Sequence, residues 1–434
     1  MAKLNQLLAR YFPPGTFLHN VVVMLFGTAF GPALNVLIMP VLARLYTPED
    51  FGLLTLFNAF LNVLVAMPAL RYEGAIPLPK DDDEADDLLV ISLLFVTLFS
   101  AVILAVLLAF GPALARLFNA EELAPYLWLL PVALFANGVF RVLSMWNTRH
   151  KQFGNIARST IARPLGNSYT ATLLGFLRAG EVGLLAAAVI GQLSAASMII
   201  YRAAGHGLWS ALKLIAPGRI RELLAKHRQF PIYQLPAALL NTCSQQVSLF
   251  VMAALYDMTT VGHYGVARRI FSMPMFLIVQ AVAQVFMQRA AEEFNRGGDL
   301  RRLVGNIYLR LFLVGSVPTV LIFALAPWAC RVFLGADFEV AGHYTRLIIP
   351  WLFVAFVGSP TTSIFAVINR QDITAVYGGA SLVLRVVAIW AGWHFWQSAY
   401  WSIALYALVG MLGNLYLMIA TWILTRPGRG KVKG

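Results

Sequence analysis

Cysteine, acidic residues and charge of any kind are scarce in this chain. There are 2 cysteines in 434 residues, 20 Asp and Glu against 33 Lys and Arg, and charged residues make up only 12%. Cys243 and Cys330 fall in different apolar runs and make no metal-ligand spacing, so both are read as small packing residues. No GxxxxGK[ST] loop is present to cradle a nucleotide phosphate, which excludes ATP hydrolysis on this chain. None of the 7 histidines has a second histidine or a carboxylate three or four residues on. The nearest combination, Asp337, Glu339 and His343, is read as a solvated loop, so no metal or other cofactor is expected. No candidate nucleophile has an evident base beside it, and the expectation is that the protein is not an enzyme.

What the chain has instead is apolar length. At 59% hydrophobic and a mean hydropathy of +0.72 it is too apolar for a soluble protein of this size. A membrane span uses about 20 apolar residues, so the composition supplies roughly twelve spans and leaves no room for a sizeable soluble domain. Apolar runs bounded by charge or turn residues lie near 17–45, 50–70, 88–112, 123–146, 154–177, 182–204, 230–256, 259–288, 303–327, 345–368, 373–396 and 400–425. They predict an all-α integral membrane protein of twelve transmembrane helices. With the N-terminus in the cytoplasm, 21 of the 33 basic residues fall on the inner side and only Arg44, Arg116, Arg178, Arg331 and Arg346 outside. That asymmetry fixes the expected orientation, with both termini cytoplasmic. The net charge of +13 is thus spread by topology, and no nucleic-acid partner is implied.

The runs group into segments. Residues 1–16, with Lys3, Arg10, Pro13 and Pro14, lack a cleavable apolar region and read as a cytoplasmic amphipathic segment. Residues 17–204 hold the first six helices and 230–425 the second six. Between them, 205–229 alternates Trp209, Leu212, Leu214 and Ile215 with Lys213, Arg219 and Arg221, as a basic segment lying on the anionic cytoplasmic leaflet would. Residues 426–434 form a basic tail. The acidic run Asp81–Asp87 reads as a solvated cap on the third helix. Leu45-Tyr46, five residues, then Gly52 recurs as Leu255-Tyr256, five residues, then Gly262, which points to two related halves.

Seven arginines remain inside the expected spans: Arg141, Arg158, Arg163, Arg268, Arg269, Arg310 and Arg385, of which Arg158 and Arg268 are near enough to an end to snorkel. A cation at the bilayer centre costs roughly 2.5–3.5 kcal/mol on the insertion scale, so the deep ones should face protein or water. The acids lie in loops or at helix ends, Asp257 and Glu73 coming nearest to the interior. The counter-charge is therefore expected from cargo. Polar residues recur at helical spacing beside these arginines, and Arg269, Gln280 and Gln284 share one face. Arg141, Arg163, Arg269, Arg310, Arg385, Asn58, Asn137, Gln245 and Gln280 are the candidate substrate-binding residues of a hydrated cationic cavity. Interhelical hydrogen bonding is the competing reading for the Asn and Gln positions. Guanidinium suits bidentate binding of phosphate, so an anionic, phosphate-bearing substrate is expected.

The segments LARLYTPEDFGLLTLF (43–57), PALRYEGAIPLPKDDDEADDL (68–88), KHRQFPIYQLPAALLN (226–241) and GHYGVARRIFSMPMFLIVQAVAQVFMQRAAE (262–292) resemble the polysaccharide-transporter or O-antigen flippase family. That family belongs to the superfamily that also holds the multidrug and toxic-compound extruders. The resemblance implies two six-helix bundles, related by a pseudo-twofold axis along the membrane normal, in a V-shaped transporter of the bacterial inner membrane. It implies movement of a polyprenyl-diphosphate-linked oligosaccharide to the outer leaflet by alternating access, with membrane lipids, a polysaccharide polymerase and chain-length proteins as partners. Of the family's pattern, Arg269 matches the arginine after Tyr-x-x-Ala-x, and Arg71, Tyr72 and Glu73 match an Arg-Tyr-Glu. A cation-coupled drug extruder would want carboxylates within the spans, and a glycan polymerase or ligase a large external loop with candidate acid and base residues.

Overall fold

A computed structural model describes residues 17–212, 215–296, 298–368 and 370–425. The amphipathic segment 1–16 and the basic tail 426–434 lie outside them, as do Lys213 and Leu214. The described residues are helical throughout, without a strand. In chain order the helices are α1 (Phe17–Leu45), α2 (Pro48–Leu64), α3 (Asp82–Leu117), α4 (Leu129–Arg149), α5 (Phe153–Phe176) and α6 (Glu181–Ala204). The short α7 (Leu208–Ala211) and α8 (Pro217–Lys226) follow, then α9 (Leu235–Leu255), α10 (Met258–Arg296), α11 (Leu300–Ala329), α12 (Glu339–Gly358), α13 (Ile364–Val367), α14 (Gln371–Trp396) and α15 (Ala399–Leu424). Eight helical stretches among the described residues are long and apolar enough to cross a membrane. α5 and α10 are not among them, because their apolar runs are broken by Arg158, Arg163 and Asn167, and by Arg268, Arg269 and Gln280. Leu94, Leu98, Leu108 and Phe110 on α3 and Leu313, Val314, Val317 and Val320 on α11 are exposed, which only a lipid neighbour makes tolerable on this scale.

Two compact units divide the chain, residues 1–246 and 247–434, with the division inside α9. In the first, α5 and α6 pack most closely, and the fit depends on absent side chains. A Cβ on Gly166 would strike Ser194, and one on Gly191 would stand 3.0 Å from the Arg163 carbonyl oxygen. The repeated Leu-Tyr motif falls at the same kind of junction in each unit. α1 ends at Leu45 and α9 at Leu255, the next helix begins within three residues, and each tyrosine then anchors its own unit. Tyr46 donates to the Ala171 carbonyl oxygen at 2.7 Å, and the Tyr256 hydroxyl lies 2.8 Å from Ser402 Oγ. Both following helices are capped by an acid or hydroxyl, through the Thr47–Asp50 capping box and through Asp257 accepting from the Thr260 amide.

The acidic run is more than a solvated cap, and the basic linker is more than a leaflet-bound segment: Asp81–Asp83 are exposed at the start of α3, but the run and the linker also hold each other. Arg149 donates to Asp82 at 2.7 Å, Trp146 Nε1 to Asp86 at 2.9 Å, Arg219 to Asp87 at 3.2 Å and Lys226 to Glu84 at 2.7 Å, while His227 Nε2 lies 3.1 Å from Glu84. Glu222 and Asp87 together hold the Arg219 guanidinium above its ordinary pKa. Beneath this strip Leu208, Ala211 and Leu223 are buried with Leu88, Trp146 and Ile199 in one core. The linker is therefore part of the first unit. Trp209 and Leu212 stay exposed on its outer side, as a face turned to lipid would.

Candidate functional site

The expected second helix, 50–70, stops at Leu64, and the reason is Pro68. Proline cannot continue an α-helix, and the chain then reverses through Leu70 (φ 49°) and Arg71 (φ 68°). Left-handed backbone costs a side-chain-bearing residue roughly 1–2 kcal/mol, so the surroundings must hold it. They do: Ala75 and Ile76 are fully buried, Tyr72 stacks on Phe95 with ring centres 5.8 Å apart, and its hydroxyl donates to the Leu224 carbonyl oxygen. The turn Tyr72–Ala75 is thereby tucked back into the unit, and the Glu73 side chain goes with it. Only 6% of Glu73 is exposed.

That placement gives one of the buried arginines, Arg141, a protein carboxylate, where counter-charge was expected from cargo. Arg141, on α4, donates from one terminal nitrogen to Glu73 Oε1 and from the other to the Val65 carbonyl oxygen, each at 3.2 Å. Arg71 stands 3.9 Å from the same Glu73 oxygen. Arg163 approaches from α5. Its guanidinium lies over the Phe140 ring, 4.8 Å from the centre, near enough to Arg141 for the two charges to repel. Its Nε and one terminal nitrogen are buried without a hydrogen-bond partner, as are Arg71 Nε and Glu73 Oε2. One turn before Arg141, Asn137 donates to Gln192 at 3.0 Å while its own oxygen goes unpartnered. Two guanidiniums thus share one carboxylate and a third stands near Arg141, an excess of positive charge with donors left over. Buried polar groups of this kind are ordinarily satisfied, so the cluster is built to receive acceptors.

In the second unit aromatic faces take the place of the carboxylate. Arg385 lies over Trp351 at 5.2 Å and over Tyr406 at 5.5 Å, and Tyr406 meets both Trp351 and Tyr264 edge to face. Arg268, expected to snorkel, lies instead near Tyr264 and Tyr406. A cation over a ring keeps its edge-on N–H groups, and Arg385 Nε is buried without a partner. Arg269 is half-buried on α10 and Gln280 is exposed on the same helix. Arg310 is exposed and joins Arg289 and Asn306 around a cleft of about 510 Å³ between α10 and α11. Asn58 donates back to the Leu54 carbonyl oxygen of its own helix, and Gln245 is exposed on α9. The nine residues therefore fall into separate groups: Asn137, Arg141 and Arg163 in the first unit, Arg385 and Arg310 in two places in the second.

Arg71, Glu73, Gln192, Arg268 and Tyr406 complete these groups and were not among the nine. For Arg71 and Glu73 a signal existed, since charged residues three and five positions after Pro68 fall where the proline has already ended the helix. Among the described residues no three His, Cys, Asp or Glu side chains come together to hold a metal ion.

Residues 41–343 match the model of a family described as polysaccharide biosynthesis protein. The resemblance carried by residues 43–57, 68–88, 226–241 and 262–292 is borne out by that match. An amylovoran biosynthesis protein of Erwinia amylovora is 20% identical over 177 residues, covering 41% of this chain. The aligned region spans 46% of that relative. Among solved structures, the lipid II flippase MurJ in an inward closed conformation aligns with a TM-score of 0.71 at 14% identity, over 93% of this chain and 90% of that one. An inward-facing multidrug resistance MATE family transporter of the MOP superfamily gives 0.62 at 17% identity, over 95% and 96%. A MOP superfamily transporter from Pyrococcus furiosus, described as having a binding pocket of reverse polarity, gives 0.60 at 16% identity, over 94% and 95%. At these identities the likeness establishes the fold: an all-helical, multi-pass membrane protein.

Proposed function

The chain belongs to the polysaccharide biosynthesis protein family, and from that premise we propose that it carries a polyprenyl-diphosphate-linked oligosaccharide from the cytoplasmic to the outer leaflet of a bacterial inner membrane. The observation that carries the reading is the excess charge around Glu73. Arg71 and Arg163 hold unpartnered N–H donors, and Arg141 stands between them on Glu73, in a chain otherwise built to face lipid. A diphosphate is multiply anionic, offers acceptors to several guanidiniums at once, and would neutralise what Glu73 leaves over. The polyprenyl chain stays in lipid, since drawing a long apolar tail through a wet passage costs about 0.8 kcal/mol per methylene.

On this reading the twelve spans form two six-helix bundles, 17–204 and 230–425, related by a pseudo-twofold axis along the membrane normal, with both termini in the cytoplasm. The matching Tyr46 and Tyr256 junctions support that arrangement. Alternating access moves the headgroup, with Arg385 and Arg269 as the arginines of the second bundle, and the product is handed to a polysaccharide polymerase and chain-length proteins. A cation-coupled multidrug extruder of the same superfamily has the same fold behind it. Against it stands Glu73, the carboxylate of the first-unit cluster, which two arginines already engage and which therefore makes a poor site for a cationic drug.

Deleting the gene in a strain without a paralogue tests the proposal. Surface polysaccharide should vanish, and the lipid-linked intermediate should accumulate where only cytoplasmic enzymes reach it. Normal surface glycan together with new drug sensitivity would replace the first reading by the second.

A further inference from the structure

The cleft between α10 and α11 is assembled from two facing helical stripes. Val282, Val285, Phe286 and Arg289 recur at intervals of three and four on α10, and Leu303, Asn306, Ile307, Arg310 and Leu311 do so on α11. Phe286 and Leu311 form a buried apolar floor, whereas both arginines and the asparagine are exposed. Neither Arg289 nor Arg310 has a carboxylate within 4 Å among the described residues, and no acid lines the cleft. Two like charges facing one apolar groove repel each other and raise the cost of holding either near hydrocarbon. The arrangement fits an anion with an apolar tail.

Depth narrows the choice. α10 has 39 residues and the α11 stretch from Leu300 to Leu334 has 35, so at about 1.5 Å per residue both exceed a hydrocarbon layer of roughly 30 Å. Arg289 stands seven residues before the end of α10 and Arg310 ten after the start of α11. Both thus lie about 10–15 Å from the α10–α11 connection, the level of a lipid headgroup for helices that overrun the bilayer. A volume of about 510 Å³ suits one acyl chain with part of a headgroup. Apart from the two arginines and Asn306 the lining is wholly apolar, which suits an acyl chain better than the body of an oligosaccharide.

We propose that this cleft binds one anionic phospholipid of the leaflet on the side of the α10–α11 connection, its phosphate between Arg289 and Arg310 and one acyl chain over Phe286, Ile307 and Leu311. Arg310 is thereby moved from the cargo site to a resident-lipid site. The assignment stands whether or not the cargo is a glycan, because its test reads lipid retention and not transport.

The full chain is purified in mild detergent, and native mass spectrometry and melting temperature are recorded with added phosphatidylglycerol or phosphatidylcholine. Retention of one phosphatidylglycerol, with a rise in melting temperature that phosphatidylcholine does not give, is the expected result. Arg289→Gln with Arg310→Gln should abolish that preference, and Val285→Trp, which fills the groove and leaves both charges, should abolish retention. Equal retention of the two lipids, or undiminished preference in a folded double variant, overturns the proposal. Displacement of the retained phosphatidylglycerol by an equimolar short polyprenyl diphosphate also overturns it, assigning the cleft to cargo. A failure here leaves the loss of surface glycan on deletion untouched.

Discussion

Glu73→Gln separates an anchoring carboxylate from one that competes with cargo. If Glu73 stands in for the diphosphate when the site is empty, cargo must displace it from Arg141 and Arg71 before both guanidiniums are free. Its nearer oxygen is 3.2 Å from Arg141 and 3.9 Å from Arg71. Unit charges about 4 Å apart attract by about 4 kcal/mol at an effective dielectric near 20. The arginine side chains keep 30% and 26% exposure, so solvent screening removes more than half of that, leaving about 1–2 kcal/mol. Glutamine keeps the shape and an acceptor for Arg141 but gives up the charge. Affinity for geranylgeranyl diphosphate, titrated into the purified protein, should therefore rise about tenfold, since 1.4 kcal/mol is a factor of ten. Export should slow, because no carboxylate returns to expel the headgroup. Binding that is unchanged or weaker, with the melting temperature preserved, would show that Glu73 only positions Arg141 and would refute the competition.

Arg163→Gln removes a guanidinium with two orphaned nitrogens over Phe140. Diphosphate binding should weaken by about 1.5–3 kcal/mol, the worth of a hydrogen bond to a charged group, while the melting temperature holds or rises because a buried unpaired charge is gone. Glu84→Gln breaks the contact with Lys226 and His227; stability should fall by about 1 kcal/mol, and limited trypsin digestion should cut sooner after Lys226 and Arg228. Gly392→Ala places a Cβ on the Ser402 backbone, where nothing can move aside as a side chain would. A loss above about 3 kcal/mol, seen as failure to survive detergent extraction, is expected at that α14–α15 contact, whereas Gly154→Ala, facing open space, should melt as the parent does.

Helical content and the order of the helices were legible because apolar periodicity is local, but the ends were not: α3 and α10 run on beyond 88–112 and 259–288, and the second helix stops short at Leu64 ahead of Pro68. The charge accounting was not legible, for a physical reason. Glu73 is two residues from Arg71 in sequence but reaches Arg141, 68 positions away, only because two left-handed residues fold the turn back. Asp82, Glu84, Asp86 and Asp87 looked solvated because each partner, from Trp146 to His227, is more than fifty residues distant. Position along a helix told where arginines could not face lipid. It did not tell what they faced instead, and Arg268 found tyrosines where a snorkelling path to the interface was expected.

The two units hold their buried cations by different means, and the difference bears on which step each can serve. In the first, Glu73 accepts along the edge of Arg141, the edge a phosphate would use, so binding there is an exchange of anions. In the second, Trp351 and Tyr406 cover the face of Arg385 and leave Nε without a partner, so an anion can be added there without displacing anything. An exchange site discriminates: only a ligand with more than one negative charge replaces a carboxylate and still neutralises the remaining guanidiniums. An addition site does not require that. A monoanion would thus be accepted at Arg385 and refused at Arg141, and on the proposed function selection for a diphosphate would rest on the one turn, Tyr72–Ala75, that keeps Glu73 inside the unit.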